Sequence, residues 1–131
     1  MTTIDLTGLT DPGTYDATLD DVRYESFKPS RKHPGVARLS WRFRIVRGEH
    51  DGEYIDHTTE LDPESLWRLQ KTLYGLGLDD AYKWRTWEFE TDAEGRVIEP
   101  DLTGTSAVVD LSLHEGRFVR TRVRRQKTNR S

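Results

Sequence analysis

Apolar and polar positions alternate strictly from Arg38 to Ile45. Leu39, Trp41, Phe43 and Ile45 fall on one face, and Arg38, Ser40, Arg42 and Arg44 on the other. Period-two alternation in a run rich in aromatic and branched residues predicts a half-buried strand. Gly48 and Gly52 bracket a polar turn, and Glu53 to Thr59 reads as the returning strand of a hairpin, with Tyr54 out of phase with Ile55. An earlier strand is predicted from about Thr14 to Tyr24, with Tyr15, Ala17 and Leu19 on one face. Its phase slips before Val22 and Tyr24, which predicts a β-bulge at Asp20-Asp21. Between the two strands, Pro29 and Pro34 fence a loop holding Phe27, Lys28, Arg31 and Lys32.

The period changes after Asp62-Pro63-Glu64-Ser65, which reads as a capping aspartate with proline at the first helical position. Leu66, Trp67, Leu69, Leu73 and Leu76 follow near helical spacing, and Gly75 and Gly77 close the helix. Residues 79–100 are the least patterned, with Trp84, Trp87 and Phe89 ahead of a turn at 92–95 and room for a short strand pair. A further strand runs through Ala107, Val109, Leu111 and Leu113, turns at 114–117, and returns over Phe118 to Arg125. Three strands, a helix and two strands give the expected fold class: mainly β, a five-stranded OB-like barrel with one helix between strands 3 and 4. The expected organisation is a lead-in over 1–12, one domain over 13–125 and a basic, frayed tail over 126–131.

The chain has 131 residues, enough for one domain with a real core, and no cysteine, which removes disulfide frameworks and thiolate metal sites. No apolar run is long enough for a membrane span, and the first residues lack the pattern of a signal peptide, so a soluble cytoplasmic protein is expected. The net charge of −3 hides a segregation. Residues 1–22 carry five aspartates and no basic residue, whereas residues 117–131 carry seven basic residues and no acidic one.

The charge pattern also supplies the candidate chemistry. A single-strand binder needs cations that follow phosphates and flat side chains on which bases stack. Arg38, Arg42 and Arg44 form an outward row, with Tyr54 on the neighbouring strand. Phe27, Lys28, Arg31 and Lys32 repeat the combination in the first loop, and Arg117, Phe118, Arg120 and Arg122 repeat it in the last hairpin. Against this stands the plain reading that such arginines only keep a strand face soluble and that Phe118 is core. Trp41 is expected in the core, and Trp67, Trp84 and Trp87 are expected to pack. Catalysis finds no support: no nucleophile elbow, phosphate loop or paired-histidine zinc motif is present. Glu49-His50-Asp51 reads as a turn and His57 as a polar strand residue. The expectation is therefore a non-enzyme that requires no metal or cofactor.

Several segments together resemble one phage-associated family, small proteins long catalogued as a domain of unknown function and treated as single-stranded DNA-binding proteins of replication or recombination modules. The matching pieces are Pro12-Gly-Thr-Tyr-Asp-Ala17, Leu39 to Val46, Gly48 to Gly52, Leu66-Trp-Arg-Leu69, Leu76-Gly-Leu78 and Asp101-Leu-Thr-Gly104. In order and spacing they extend from Pro12 to Val123. The resemblance implies an OB-like barrel that coats single-stranded DNA in a bacterial host cell, without catalytic activity. It transfers no motif of binding residues. Many single-strand binders end in an acidic tail, and this chain departs from them by ending in Arg124, Arg125, Lys127 and Arg130. The alternative is a phage protein-docking module or inhibitor that binds no nucleic acid. Self-association and partners among phage or host replication and recombination proteins are left open by the sequence.

Overall fold

The computed structural model describes residue 2 and residues 12–26, 37–78, 80–83, 85–114 and 118–125, with Tyr82, 113–114 and 118–120 placed by backbone alone. The alternating run forms β2 (Ala37–Ile45), flanked by β1 (Gly13–Ser26) and β3 (Tyr54–Glu60). The helix α1 (Leu66–Gly75) follows, then the hairpin β4 (Glu90–Thr91) and β5 (Val97–Glu99), then β6 (Ser106–His114) and β7 (Phe118–Arg125). Five strands form one antiparallel sheet in the order β3-β2-β1-β6-β7, and β4 and β5 form a separate pair. The mainly β class and the place of the helix agree with expectation. No strand pairing joins β3 to β7, so the sheet is not closed into the expected barrel. Among the described residues no helix is long and apolar enough to cross a membrane.

The phase slip in β1 is real: its register with β2 shifts between Leu19 and Asp21. The bulge lets one strand serve two neighbours. Residues 13–18 pair with β6, and beyond the bulge the β4–β5 hairpin docks through a Tyr24 N–H donated to the Gly95 carbonyl at 2.7 Å. Gly95 has φ +87°, and a Cβ there would lie 2.7 Å from the Tyr24 carbonyl oxygen, so only glycine permits the approach. The core lies on the inner face, where Leu19, Leu39, Trp41, Phe43, Ile45 and Val109 are fully buried.

The helix start departs from the sequence reading. Asp62 does not cap α1. The Ser65 N–H bonds back to the Asp62 carbonyl, so 62–65 close a turn of their own and Pro63 sits within it. Ser65 then takes the cap position without a side-chain bond. The other end follows expectation. Gly77 has φ +95°, its N–H bonds to the Tyr74 carbonyl, and the Leu78 N–H reaches the Leu73 carbonyl at 3.1 Å, the paired bonds of a Schellman motif.

Gly75 seats the helix on the sheet. A Cβ at this position would lie 2.6 Å from the Val123 carbonyl oxygen of β7. Gly75→Ala gains about 1 kcal/mol of helix propensity. It also forces backbone against backbone, which cannot rotate away, and overpacking costs about 1–3 kcal/mol. The overlap wins, so Gly75→Ala is expected to lower the thermal melting temperature. An unchanged melting temperature would mean that α1 slides freely on β7.

Candidate functional site

Arg38, Arg42 and Arg44 do point away from the core, as the alternation requires, and the register decides what each one meets. Arg38 stands between Glu25 of β1 and Glu60 of β3, and its Nε donates to Glu25 at 2.8 Å. Arg42 stands between Asp21 and Asp56, and its Nε donates to Asp56 at 3.1 Å. That bond and the Asp56 charge raise the Arg42 pKa, holding its guanidinium in the charged form. Arg44 is different. Its cross-strand neighbours are Thr18 and Tyr54, and it has no ion-pair partner among the described residues.

The same pairing continues across the outer face. Asp21 lies between Arg23 at 2.8 Å and Arg96 at 3.2 Å, the second contact being ionic without a hydrogen bond. Asp110 accepts two bonds from Arg124, at 2.5 and 2.9 Å, and one from the Thr14 hydroxyl. The Arg124 bond is the main cause holding the Asp110 carboxyl below its ordinary pKa. Arg122 is exposed on β7, across from Asp110. The row read from the sequence as basic is therefore a mixed checkerboard, with its least committed cation at Arg44.

Tyr54 supplies the flat surface. It is 49% exposed, opposite Arg44, with the Arg42 guanidinium 5.1 Å from its ring centre. Phe27, Lys28, Arg31, Lys32 and Arg117 lie outside the described residues, as does Trp84. Phe118 and Arg120 are placed on β7 by backbone only.

No protein-family model, curated protein or solved structure matches the chain.

Trp67 and His57 depart from their sequence reading. Trp67, expected to pack, is 51% exposed, with Arg68 and Lys71 each 5.2 Å from its ring. Tyr74 is 40% exposed, and Arg125 lies 4.5 Å above its ring. The spacing of Trp67, Lys71 and Tyr74 at i, i+4 and i+7 was the available signal, because it marks one helix face. His57, expected among strand polars, is only 8% exposed. Its Nε2 lies 2.9 Å from the Thr72 hydroxyl of α1, which itself donates to the Arg68 carbonyl. The Thr72 proton is thus already used, so Nε2–H must donate, and Nδ1 accepts from the Thr121 hydroxyl of β7. A neutral imidazole satisfies the whole set, and burial, with a smaller contribution from Arg68, lowers its pKa to about 4. His57 is a structural tie across β3, α1 and β7. The other candidate histidine, His50, contacts Glu53 in the β2–β3 turn and packs edge-on to Tyr15.

Proposed function

We propose that the chain is a non-catalytic single-stranded DNA-binding protein of phage type, which coats its strand along the outer face of β2 and β3. The observation that carries this reading is the group formed by Arg44, Arg42 and the half-exposed Tyr54 in cross-strand register. Tyr54 offers a ring on which a base stacks, a contact contributing roughly 1–3 kcal/mol per base. Arg44 has no carboxylate to give up. The Arg38 and Arg42 ion pairs are exposed and contribute little to stability, so a phosphate can take the place of Glu25 or Asp56.

The curl of the sheet supports an OB-like reading. Its edge strands approach through His57 and Thr121, with α1 packed against both, as in a partly open five-stranded barrel whose second and third strands bind oligonucleotides. The resemblance to the phage family points the same way, to a protein working without metal or cofactor in the cytoplasm of an infected bacterium, beside replication or recombination proteins.

Anisotropy of a labelled deoxythymidine oligomer, titrated at low and high salt against a duplex control, tests the reading. Tight single-strand binding that weakens with salt is expected. Removing two phosphate contacts with Arg42→Glu/Arg44→Glu should flatten the log–log salt slope by about 1.4 and weaken binding further by repulsion. A folded double variant that binds unchanged would exclude this face. No binding by the unsubstituted protein at low salt would favour the protein-docking reading, which the charge-balanced outer face also supports.

A further inference from the structure

Two surfaces outside the β2–β3 face are incomplete in opposite ways. The first is the outer stripe of α1: Trp67 and Tyr74, rimmed by Arg68, Lys71 and Arg125. No acidic residue occurs from Leu66 to Gly75, and Arg68 and Lys71 make no ion pair among the described residues. The second is an open groove of about 740 Å³ on the β4–β5 hairpin. Trp87, Phe89 and Pro100 give it an apolar floor, and Glu88, Glu90 and Glu99 give it an acidic rim.

The groove has a specific electrostatic defect. Glu90 and Glu99 are direct cross-strand partners, an arrangement in which like charges destabilise a strand pair. Neither they nor Glu88 has an ion-pair partner among the described residues. A cation between the two carboxylates would remove the repulsion, and an aromatic ring on the floor would extend the Trp87–Phe89 pair, whose centres are 5.2 Å apart. The α1 stripe carries both groups, side by side.

From this complementarity we infer that a second copy of the chain occupies the groove, presenting Trp67 to the floor and Lys71 and Arg68 to the glutamates. The contact joins two different surfaces, so it is heterologous. Each added copy still offers a free stripe at one end and a free groove at the other, and the assembly grows as an open chain unless it closes into a ring. One aromatic anchor with a charged rim is a small interface, so association is weak, salt-sensitive and concentration-dependent. Copies aligned on a shared polymer would make it far more effectively.

Sedimentation without nucleic acid tests this independently of strand binding. At low salt the mass of the unsubstituted protein should rise with concentration and fall back to one chain at high salt. Trp67→Glu, with a spoiled stripe, and Glu90→Lys/Glu99→Lys, with a spoiled groove, should each stay monomeric. Mixed together, they retain one intact stripe and one intact groove between them, and the mixture should stop at two chains. All these positions are exposed, so unchanged melting is expected. Arg68→Glu/Lys71→Glu replaces Trp67→Glu if that variant melts early. A monomer at every concentration, a mixture that stays monomeric, or association surviving in either single-surface variant would overturn the proposal. If the unsubstituted protein stays monomeric while Trp67→Glu loses oligonucleotide affinity, the stripe belongs to the DNA instead.

Discussion

Trp41→Ala is expected to lower stability by about 3–5 kcal/mol, a large part of what an ordinary domain has. Trp41 is fully buried at the middle of β2, and its indole N–H donates to the hydroxyl of Thr59, also fully buried, at 2.9 Å. The substitution therefore removes the largest fully buried side chain and strands a polar group at the same time. The two costs can be separated. Trp41→Phe keeps much of the volume but leaves the Thr59 hydroxyl without its indole donor, whereas Trp41→Phe/Thr59→Val removes both partners and should recover part of the loss. Urea unfolding midpoints measure this. A Trp41→Ala midpoint equal to that of the unsubstituted protein would mean that the core is not centred on this residue.

Mild acid is expected to cost about 3 kcal/mol through His57 alone. Its pKa is 6.5 when unperturbed and about 4 in the fold. Between those values the unfolded chain binds a proton that the folded chain does not. The His57 contribution is therefore complete above pH 6.5, is lost as pH falls from 6.5 to 4, and changes no further below that. The Asp110 carboxyl acts in a separate window. Its folded pKa lies below 3.8, so its contribution is present above 3.8 and disappears as pH falls through the depressed value. Chemical denaturation at stepped pH should resolve the upper limb, and His57→Gln should abolish it while lowering stability at neutral pH. A variant that keeps the full loss between pH 6.5 and 4 would assign that loss to other groups.

The sequence was legible where one strand's own pattern decides the outcome. The alternation of β2 reappears as alternating buried and exposed positions, and the slip beside Asp20 reappears as the bulge. It was least legible where a second element decides. Which carboxylate meets Arg38 or Arg42 depends on cross-strand register, which no single segment encodes. His57 looks like any polar strand residue until the sheet curls and brings Thr72 and Thr121 to its two nitrogens. Trp67 follows Leu66 in a helix with apolar residues on more than one side. Its spacing with Lys71 and Tyr74 marks a face, and the contacts of α1 with β3 and β7 leave that face outside. The β4–β5 hairpin lacks strand alternation because its two strands are short and its aromatic residues, Trp87 and Phe89, precede them and pack sideways onto the core.

Sharing β1 between near and distant partners also sets an order in which the chain can fold. β1, β2 and β3 are successive, and their hairpins close over short loops. The contact of β1 with β6 joins residues 96 apart, Thr14 and Asp110. Loop closure over that distance is slower, so the meander is expected to form first and wait for the rest of the chain. During synthesis the first half of β1 is then an open strand edge, the kind of surface on which nascent chains stick to one another. Asp16 lies within it, at the position that Val108 of β6 later faces. Its charge, with Arg47 of the same meander as its only ion-pair partner among the described residues, guards that edge until β6 arrives.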